Sequence, residues 1–151
     1  MTRTLEDLAE TARIAARAAE ELLRTARPSE IRHKGNPRDL VTEWDVRSEE
    51  RIRAVLEERA PGIPVLGEEG GQGAGSAGGL RWLVDPIDGT VNFTHGLPIW
   101  AVSIALEDAG RVLAGVVVAP ALGWWFEATA GGGARDGDGA PLRVSAIVQL
   151  S

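Results

Sequence analysis

The residues of this chain that are best suited to chemistry lie together in one short segment after an apolar run. The segment reads Asp85, Pro86, Ile87, Asp88, Gly89 and Thr90. Proline restricts one φ angle and glycine permits another, so we expect a turn in which Asp85, the Ile87 carbonyl and Asp88 converge. Such oxygen ligands suit Mg²⁺, which keeps room for water and a substrate phosphate. If a helix begins at Gly89, its first amides face an anion, and the segment predicts a metal-assisted phosphate site.

Taken alone, this segment also fits a polar turn after a buried strand, because Asp, Pro and Gly are the usual turn formers. The full string, followed by Asn92 and Phe93, is more specific. It resembles the signature of the inositol monophosphatase family, the lithium-sensitive, Mg²⁺-dependent phosphatases. Two upstream segments, residues 39–45 and 65–70, resemble elements of the same family in the same order. The resemblance extends over nearly the whole chain.

The resemblance implies a metal ligand set. Its members are Glu68, Asp85, the Ile87 carbonyl and Asp88. Asp85 would be shared between two Mg²⁺ ions, and paired metals of this kind activate a water and neutralise a leaving oxygen. The neighbouring Glu69 lies near the metal in the family, and Glu68 is the favoured ligand of the pair.

The resemblance also implies catalytic and phosphate-binding roles. The catalytic residues would be Glu68, Thr90 and Asp45. Thr90 would orient the attacking water, with Asp45 as its hydrogen-bonded partner. The phosphate contacts would be Asp88, the amides of Gly89 and Thr90, and Lys34. A solvated loop charge remains the alternative interpretation of Lys34.

Two further polar residues follow the signature. His95 could ligate a metal as neutral imidazole, although a structural hydrogen bond is the preferred interpretation. Asn92 is interpreted as fixing the turn, not as touching substrate. The hydrogen-bond partners of His95 and Asn92 in the structure test both interpretations.

Composition favours a soluble, cytoplasmic protein that uses oxygen-ligated metal. The chain has 151 residues, of which 44% are hydrophobic and 25% charged, enough for one domain with a core. It has no cysteine and only two histidines, too few for a typical zinc site. The net charge of −6 disfavours nucleic-acid or anionic-membrane partners. No apolar run approaches the length of a membrane span, and the first residues do not resemble a signal peptide. Adjacent Trp124 and Trp125 should face opposite ways on a strand and are interpreted as packing residues, not a base-stacking surface.

The remaining pattern predicts two helices and a meander of strands. Helices are expected over residues 4–27, with Thr4 as N-cap, and over residues 42–60. The second should bury Val46, Ile52, Val55 and Leu56. Residues 32–37 should form a polar loop, and the Gly-rich residues 70–79 a mobile one.

Strands are predicted over residues 63–66, 80–84, 99–107, 111–119 and 124–129, with turns at 108–110 and 120–123. Alternation along 99–107 places Trp100, Val102, Ile104 and Leu106 on one face. The fold class is therefore α+β, with two N-terminal helices packed on one face of a largely antiparallel sheet. The resemblance makes this the first half of the sugar-phosphatase αβαβα sandwich.

The resemblance assigns residues 1–151 to a single N-terminal α+β domain and leaves the family's C-terminal α/β half, with its additional metal-ligand aspartate, absent. The expected function is Mg²⁺-dependent hydrolysis of a small phosphorylated polyol, foremost inositol monophosphate. Alternative substrates are fructose 1,6-bisphosphate, a 3′-phosphoadenosine nucleotide and histidinol phosphate. A different class of function is a catalytically weak domain that acts through oligomerisation or regulatory binding. Because truncation would expose sheet surface, a homodimer is expected.

Overall fold

The first helix, α1, comprises Leu5–Leu23; it begins directly after the predicted N-cap Thr4 and ends before the predicted limit at residue 27. In the computed structural model, which describes residues 3–27, 31–33, 40–68 and 79–148, the Thr4 hydroxyl accepts from the Asp7 amide and the Asp7 carboxylate accepts from the Thr4 amide. This reciprocal capping satisfies two donors that a helix start otherwise leaves free. Within the described residues, no helix is both long and apolar enough to cross a membrane.

The second helix, α2, comprises Glu43–Arg59 and starts with a similar capping box formed by Thr42 and Asp45. Its later turns bury apolar residues as predicted. The prediction for Val46 is wrong, since this side chain is 41% exposed. The reason is that the buried face of the first two turns is polar and is occupied by Asp45, Ser48 and Glu49.

Two short strands precede α2. Strand β1, Ile31–His33, pairs antiparallel with β2, Leu40–Thr42. The predicted loop over residues 32–37 is therefore wrong for Arg32 and His33. These residues pair with β2, which lies further along the chain, and the local composition does not predict that pairing. The rest of that loop lies outside the described residues. The same is true of the Gly-rich loop over residues 70–79, apart from its last residue.

The other described strands form one sheet. They are β3 Val65–Gly67, β4 Leu80–Asp88, β5 Ala101–Asp108, β6 Arg111–Ala119, β7 Trp124–Thr129, β8 Gly133–Asp136 and β9 Pro141–Leu142. They lie in chain order across the sheet; only β3 and β4 are parallel, and every other pair is antiparallel. The α+β class with a largely antiparallel sheet is confirmed.

The core lies between the two long helices and one face of this sheet. Helix α1 packs on β5 and β6, and α2 packs on β4 and on α1. The predicted inward residues of β5, Val102, Ile104 and Leu106, are fully buried there. Small alanines on α1, with no exposed surface at Ala15, Ala16 and Ala19, allow the helix to approach closely.

The opposite face of the sheet carries exposed aromatic residues. Trp124 is 54% exposed, and its ring meets that of Phe126 edge to face with centroids 6.3 Å apart. Trp125 points the other way, and the guanidinium of Arg17 on α1 lies 4.7 Å from the centre of its ring. The two adjacent tryptophans thus face opposite sides of the sheet, as their strand position predicts.

Candidate metal and phosphate site

The acidic segment is the irregular end of a strand. The prediction of a turn directly after Val84 is wrong, because β4 continues through Asp88. Its pairing with β5 shifts between Asp85, opposite Ser103, and Asp88, opposite Ala101, so two residues of β4 face one residue of β5. This bulge re-aims the side chains at the strand end while the sheet still anchors them.

Asp85 has the most perturbed carboxyl group of this segment. Burial, followed by the negative charges of Glu68 and Asp88, raises the pKa of Asp85 from an ordinary 3.8 to about 7. A hydrogen bond with the Glu68 side chain acts in the same direction, whereas the Ile87 amide lowers the pKa. Within the described residues, the buried Oδ1 atom of Asp85 has no hydrogen-bond partner. The negative charges of Glu68 and Asp88 and the unpartnered Asp85 oxygen therefore make positive charge favourable at Asp85.

The donor chemistry of this strand end fits a hard divalent cation. Carboxylates of Asp85, Asp88 and Glu68 and the Ile87 carbonyl are oxygen donors of the kind that Mg²⁺ prefers. Glu68 is exposed at the end of β3, which lies beside β4 in the sheet. In the part of the chain that the structure describes, no three Asp, Glu, His or Cys side chains are close enough together to hold an ion by themselves. Main-chain oxygen and water would have to complete the coordination.

Thr90 and the buried Asp45 form a hydroxyl–carboxylate pair beside this segment. The Thr90 Oγ1 atom lies 2.9 Å from Asp45 Oδ1 and 3.0 Å from the Ile87 carbonyl oxygen. The other Asp45 oxygen, Oδ2, accepts from the amide of Thr42 at 2.7 Å and from its hydroxyl at 2.5 Å. Asp45 is 1% exposed, so the carboxylate is fixed on both sides and holds Thr90 in one orientation.

Gly89 makes the sharp change of direction from strand to helix. Its φ of +92° lies in the left-handed region, and the short helix α3, Thr90–Thr94, begins immediately after it. A Cβ at Gly89 would lie 3.1 Å from the Ile99 carbonyl oxygen. The Asn92 side chain donates to that same carbonyl at 2.6 Å. The helix start expected from the sequence is present, and Asn92 fixes the returning chain.

The other predicted residues lie farther from the carboxylates or outside the described residues. His95 has its Nδ1 atom 2.7 Å from the Val91 carbonyl oxygen, which is the structural hydrogen bond preferred above. Lys34 and Glu69 fall outside the described residues. Their predicted roles stay predictions.

Sequence reasoning missed two residues of α2 that contact this region. The Ser48 hydroxyl donates to the Pro86 carbonyl at 3.0 Å. Glu49 is 2% exposed, pairs with Arg53 at 2.8 Å, and lies so close to Gly67 that a Cβ there would overlap its carboxylate. Their spacing of three and four residues from Asp45 could have revealed them, because such positions share one helix face.

The fold and these side chains define a class: an α+β protein in which a strand end with several oxygen donors lies next to a hydrogen-bonded hydroxyl–carboxylate pair. The chain belongs to the inositol monophosphatase family, whose sequence model matches residues 4–150.

Individual relatives agree with this assignment. The inositol-1-monophosphatase of Mesorhizobium japonicum is 44% identical over 114 residues, which are 76% of this chain and 42% of that protein. The histidinol-phosphatase of Chlorobaculum parvum is 44% identical over 111 residues, 74% of this chain and 42% of the relative. The solved IMPase structure from Thermotoga maritima matches with a TM-score of 0.80 at 33% identity, covering 97% of this chain and 55% of that one. The chain thus spans about half the length of these relatives.

Proposed function

We propose that this chain provides the metal-binding and water-activating part of a Mg²⁺-dependent phosphoric monoester hydrolase. The observation that carries the proposal is the Thr90–Asp45 hydrogen bond of 2.9 Å beside a carboxylate whose pKa is raised to about 7. A raised carboxyl pKa marks a place where negative charge lacks compensation, as it does where carboxylates are arranged to hold a cation. The hydroxyl–carboxylate pair beside it is suited to handling the proton of a water molecule.

The ligands would be Glu68, Asp85, the Ile87 carbonyl and Asp88. When bound there, Mg²⁺ would lower the pKa of water and neutralise charge that develops on the leaving oxygen. Both effects serve an in-line displacement at phosphorus. The amides of Gly89 and Thr90, with Asp88 and Lys34, are the proposed contacts of the phosphate.

In the proposed reaction, Thr90 orients the attacking water through its oxygen lone pair. As the new P–O bond forms, the water proton passes to Thr90 Oγ1, whose own proton moves to Asp45 Oδ1. The bond between phosphorus and the ester oxygen breaks, the leaving alkoxide takes up a proton from solvent to become the alcohol, and Asp45 returns its proton to solvent. Asp45 is suited to this step because Thr42 holds its second oxygen.

Inositol monophosphate is the proposed substrate, with a cytoplasmic location and a homodimeric state. The inositol-1-monophosphatase relative supports this choice, whereas the equally identical histidinol-phosphatase keeps histidinol phosphate as an alternative. Fructose 1,6-bisphosphate and 3′-phosphoadenosine nucleotides are weaker alternatives within the same chemistry. Because both relatives are 44% identical to this chain, inositol monophosphate and histidinol phosphate are to be assayed side by side.

Phosphate release from each candidate substrate tests the proposal. The assay compares Mg²⁺ with EDTA, adds lithium as an inhibitor, and includes Asp85→Asn. Asp138→Asn is the matched control, because it removes a carboxylate from an exposed turn far along the chain. We expect Mg²⁺-dependent release that lithium reduces and that Asp85→Asn, but not the control, abolishes. Equal release with and without metal, or by both variants, would contradict the enzyme proposal.

A second candidate function is association through the open face of the sheet. The observation that favours it is the exposure of Trp124 and Phe126 on that face. A second copy of the chain would bury these rings and produce the homodimer. Sedimentation velocity of the wild type and of Phe126→Lys would test this, with dimer in the first and monomer in the second. A monomeric wild type at micromolar concentration would exclude it.

A further inference from the structure

We propose that Ser48 is a positioning residue for the metal-binding strand end, a role that rests on the proposed function of that site. Its side chain is fully buried, and its hydroxyl donates to the Pro86 carbonyl at 3.0 Å across a sequence separation of thirty-eight residues. Ser48 touches none of the proposed ligands' side-chain oxygens in this contact. It acts through the backbone that carries them.

The contact falls on the bulged part of β4. Pro86 and Ile87 together lie opposite the single residue Val102, because the register changes between Asp85 and Asp88. Backbone in a bulge is less constrained by the ladder than the rest of the strand. A hydrogen bond from a neighbouring helix is therefore a direct way to fix it.

The peptide unit that Ser48 holds lies between two proposed ligands, the Asp85 side chain and the Ile87 carbonyl. The Pro86 carbonyl and the Ile87 amide belong to the same planar peptide group. Ser48 binds the carbonyl end of this group. Fixing its plane limits the orientation of the backbone that carries Asp85 on one side and the Ile87 carbonyl on the other.

The choice of serine at this position is explained by the contact and not by helix formation. Alanine is the better residue in a helix interior. Ser48 lies in the second turn of α2, one turn after Asp45, so the same helix face holds Thr90 through Asp45 and Pro86 through Ser48. One rigid element therefore positions the proposed metal turn and the proposed water-orienting hydroxyl together.

The test compares Ser48→Ala with Thr11→Ala. Thr11 is a matched control because it is buried and its hydroxyl donates only within α1, to the Asp7 carbonyl at 2.8 Å. Two readouts are needed: hydrogen–deuterium exchange of the amides of residues 85 and 87–90 in metal-free protein, and the Mg²⁺ dissociation constant by calorimetry. Losing one hydrogen bond should raise exchange there and weaken Mg²⁺ about 3- to 10-fold in Ser48→Ala. Thr11→Ala should change neither.

The outcomes separate this inference from the function on which it rests. Unchanged exchange or unchanged Mg²⁺ affinity in Ser48→Ala, with a wild type that binds Mg²⁺, would overturn the positioning role. Equal changes in Thr11→Ala would also overturn it, because the effect would then follow general stability. A wild type that binds no Mg²⁺ would overturn the proposed function, while faster exchange confined to Ser48→Ala would still support the Ser48 contact.

Discussion

Replacing Asp85 with asparagine should stabilise the metal-free protein at alkaline pH, although it removes a proposed ligand. The folded chain raises the pKa of Asp85 above its ordinary value of 3.8, to about 7, through burial and through Glu68 and Asp88. When the pH lies between these two pKa values, the folded state therefore binds more protons than the unfolded state. Stability contributed by this group falls as pH rises through that interval and stays low above it.

The size of the effect follows from the same shift. A rise from 3.8 to about 7 corresponds to about 4 kcal/mol if fully realised. Asp85 is only half-buried, and solvent screening reduces the figure to about 1–2 kcal/mol. For a chain of this size, that is about 3–6 °C in melting temperature. Asparagine keeps the shape of the side chain and carries no charge, so it should recover this amount.

Thermal unfolding in EDTA at pH 4.5 and pH 8 measures the prediction, with Asp138→Asn as the control. We expect Asp85→Asn to melt higher than the wild type at pH 8 and close to it at pH 4.5. Adding Mg²⁺ should then raise the melting temperature of the wild type and leave that of Asp85→Asn unchanged. A variant that is less stable than the wild type at pH 8 without metal, or a difference that does not depend on pH, would refute the electrostatic reasoning.

Three further substitutions test other parts of the site. Thr90→Val removes the hydroxyl that contacts Asp45; it should lower kcat about 100-fold with Mg²⁺ affinity retained, as calorimetry and phosphate release can check. Gly67→Ala would overlap the Glu49 carboxylate; it should cost about 1–3 kcal/mol in unfolding free energy and weaken Mg²⁺, measured by denaturation and titration. Gly89→Ala forces a φ of +92° on alanine and should cost about 1–2 kcal/mol by the same denaturation assay.

Local sequence signals predicted the elements that depend on local chemistry. The capping residues Thr4 and Thr42 begin α1 and α2 where they were expected. Alternation predicted the inward residues of β5, and the tight turns predicted the meander from β5 to β7. Each of these features is decided by hydrogen bonds or side-chain direction within a few residues, so composition and spacing suffice.

What the sequence could not predict depends on contacts between distant segments. Pro86 and Gly89 indicated a turn, yet pairing with β5 extends β4 through Asp88 and makes the irregularity a bulge. Val46 fitted an apolar stripe, but the structure turns the polar Ser48 and Glu49 inward instead. Spacing alone does not determine which face of α2 is buried, because the groups that contact Ser48 and Glu49 lie on β4 and β3.

The polar face of α2 explains why the site and the fold cannot be separated. Buried polar groups are costly unless they are hydrogen-bonded, and the partners of Asp45 and Ser48 are found at α3 and β4. Glu49, paired with Arg53, lies against Gly67, the residue that precedes Glu68. The contacts of the polar side chains on one face of α2 therefore fix β3, β4 and α3, which are far apart in sequence and adjacent in the site. A shift of α2 would disturb the proposed ligands and the proposed water-orienting hydroxyl at once, so loss of metal affinity and loss of hydrolysis should accompany each other in variants that move this helix.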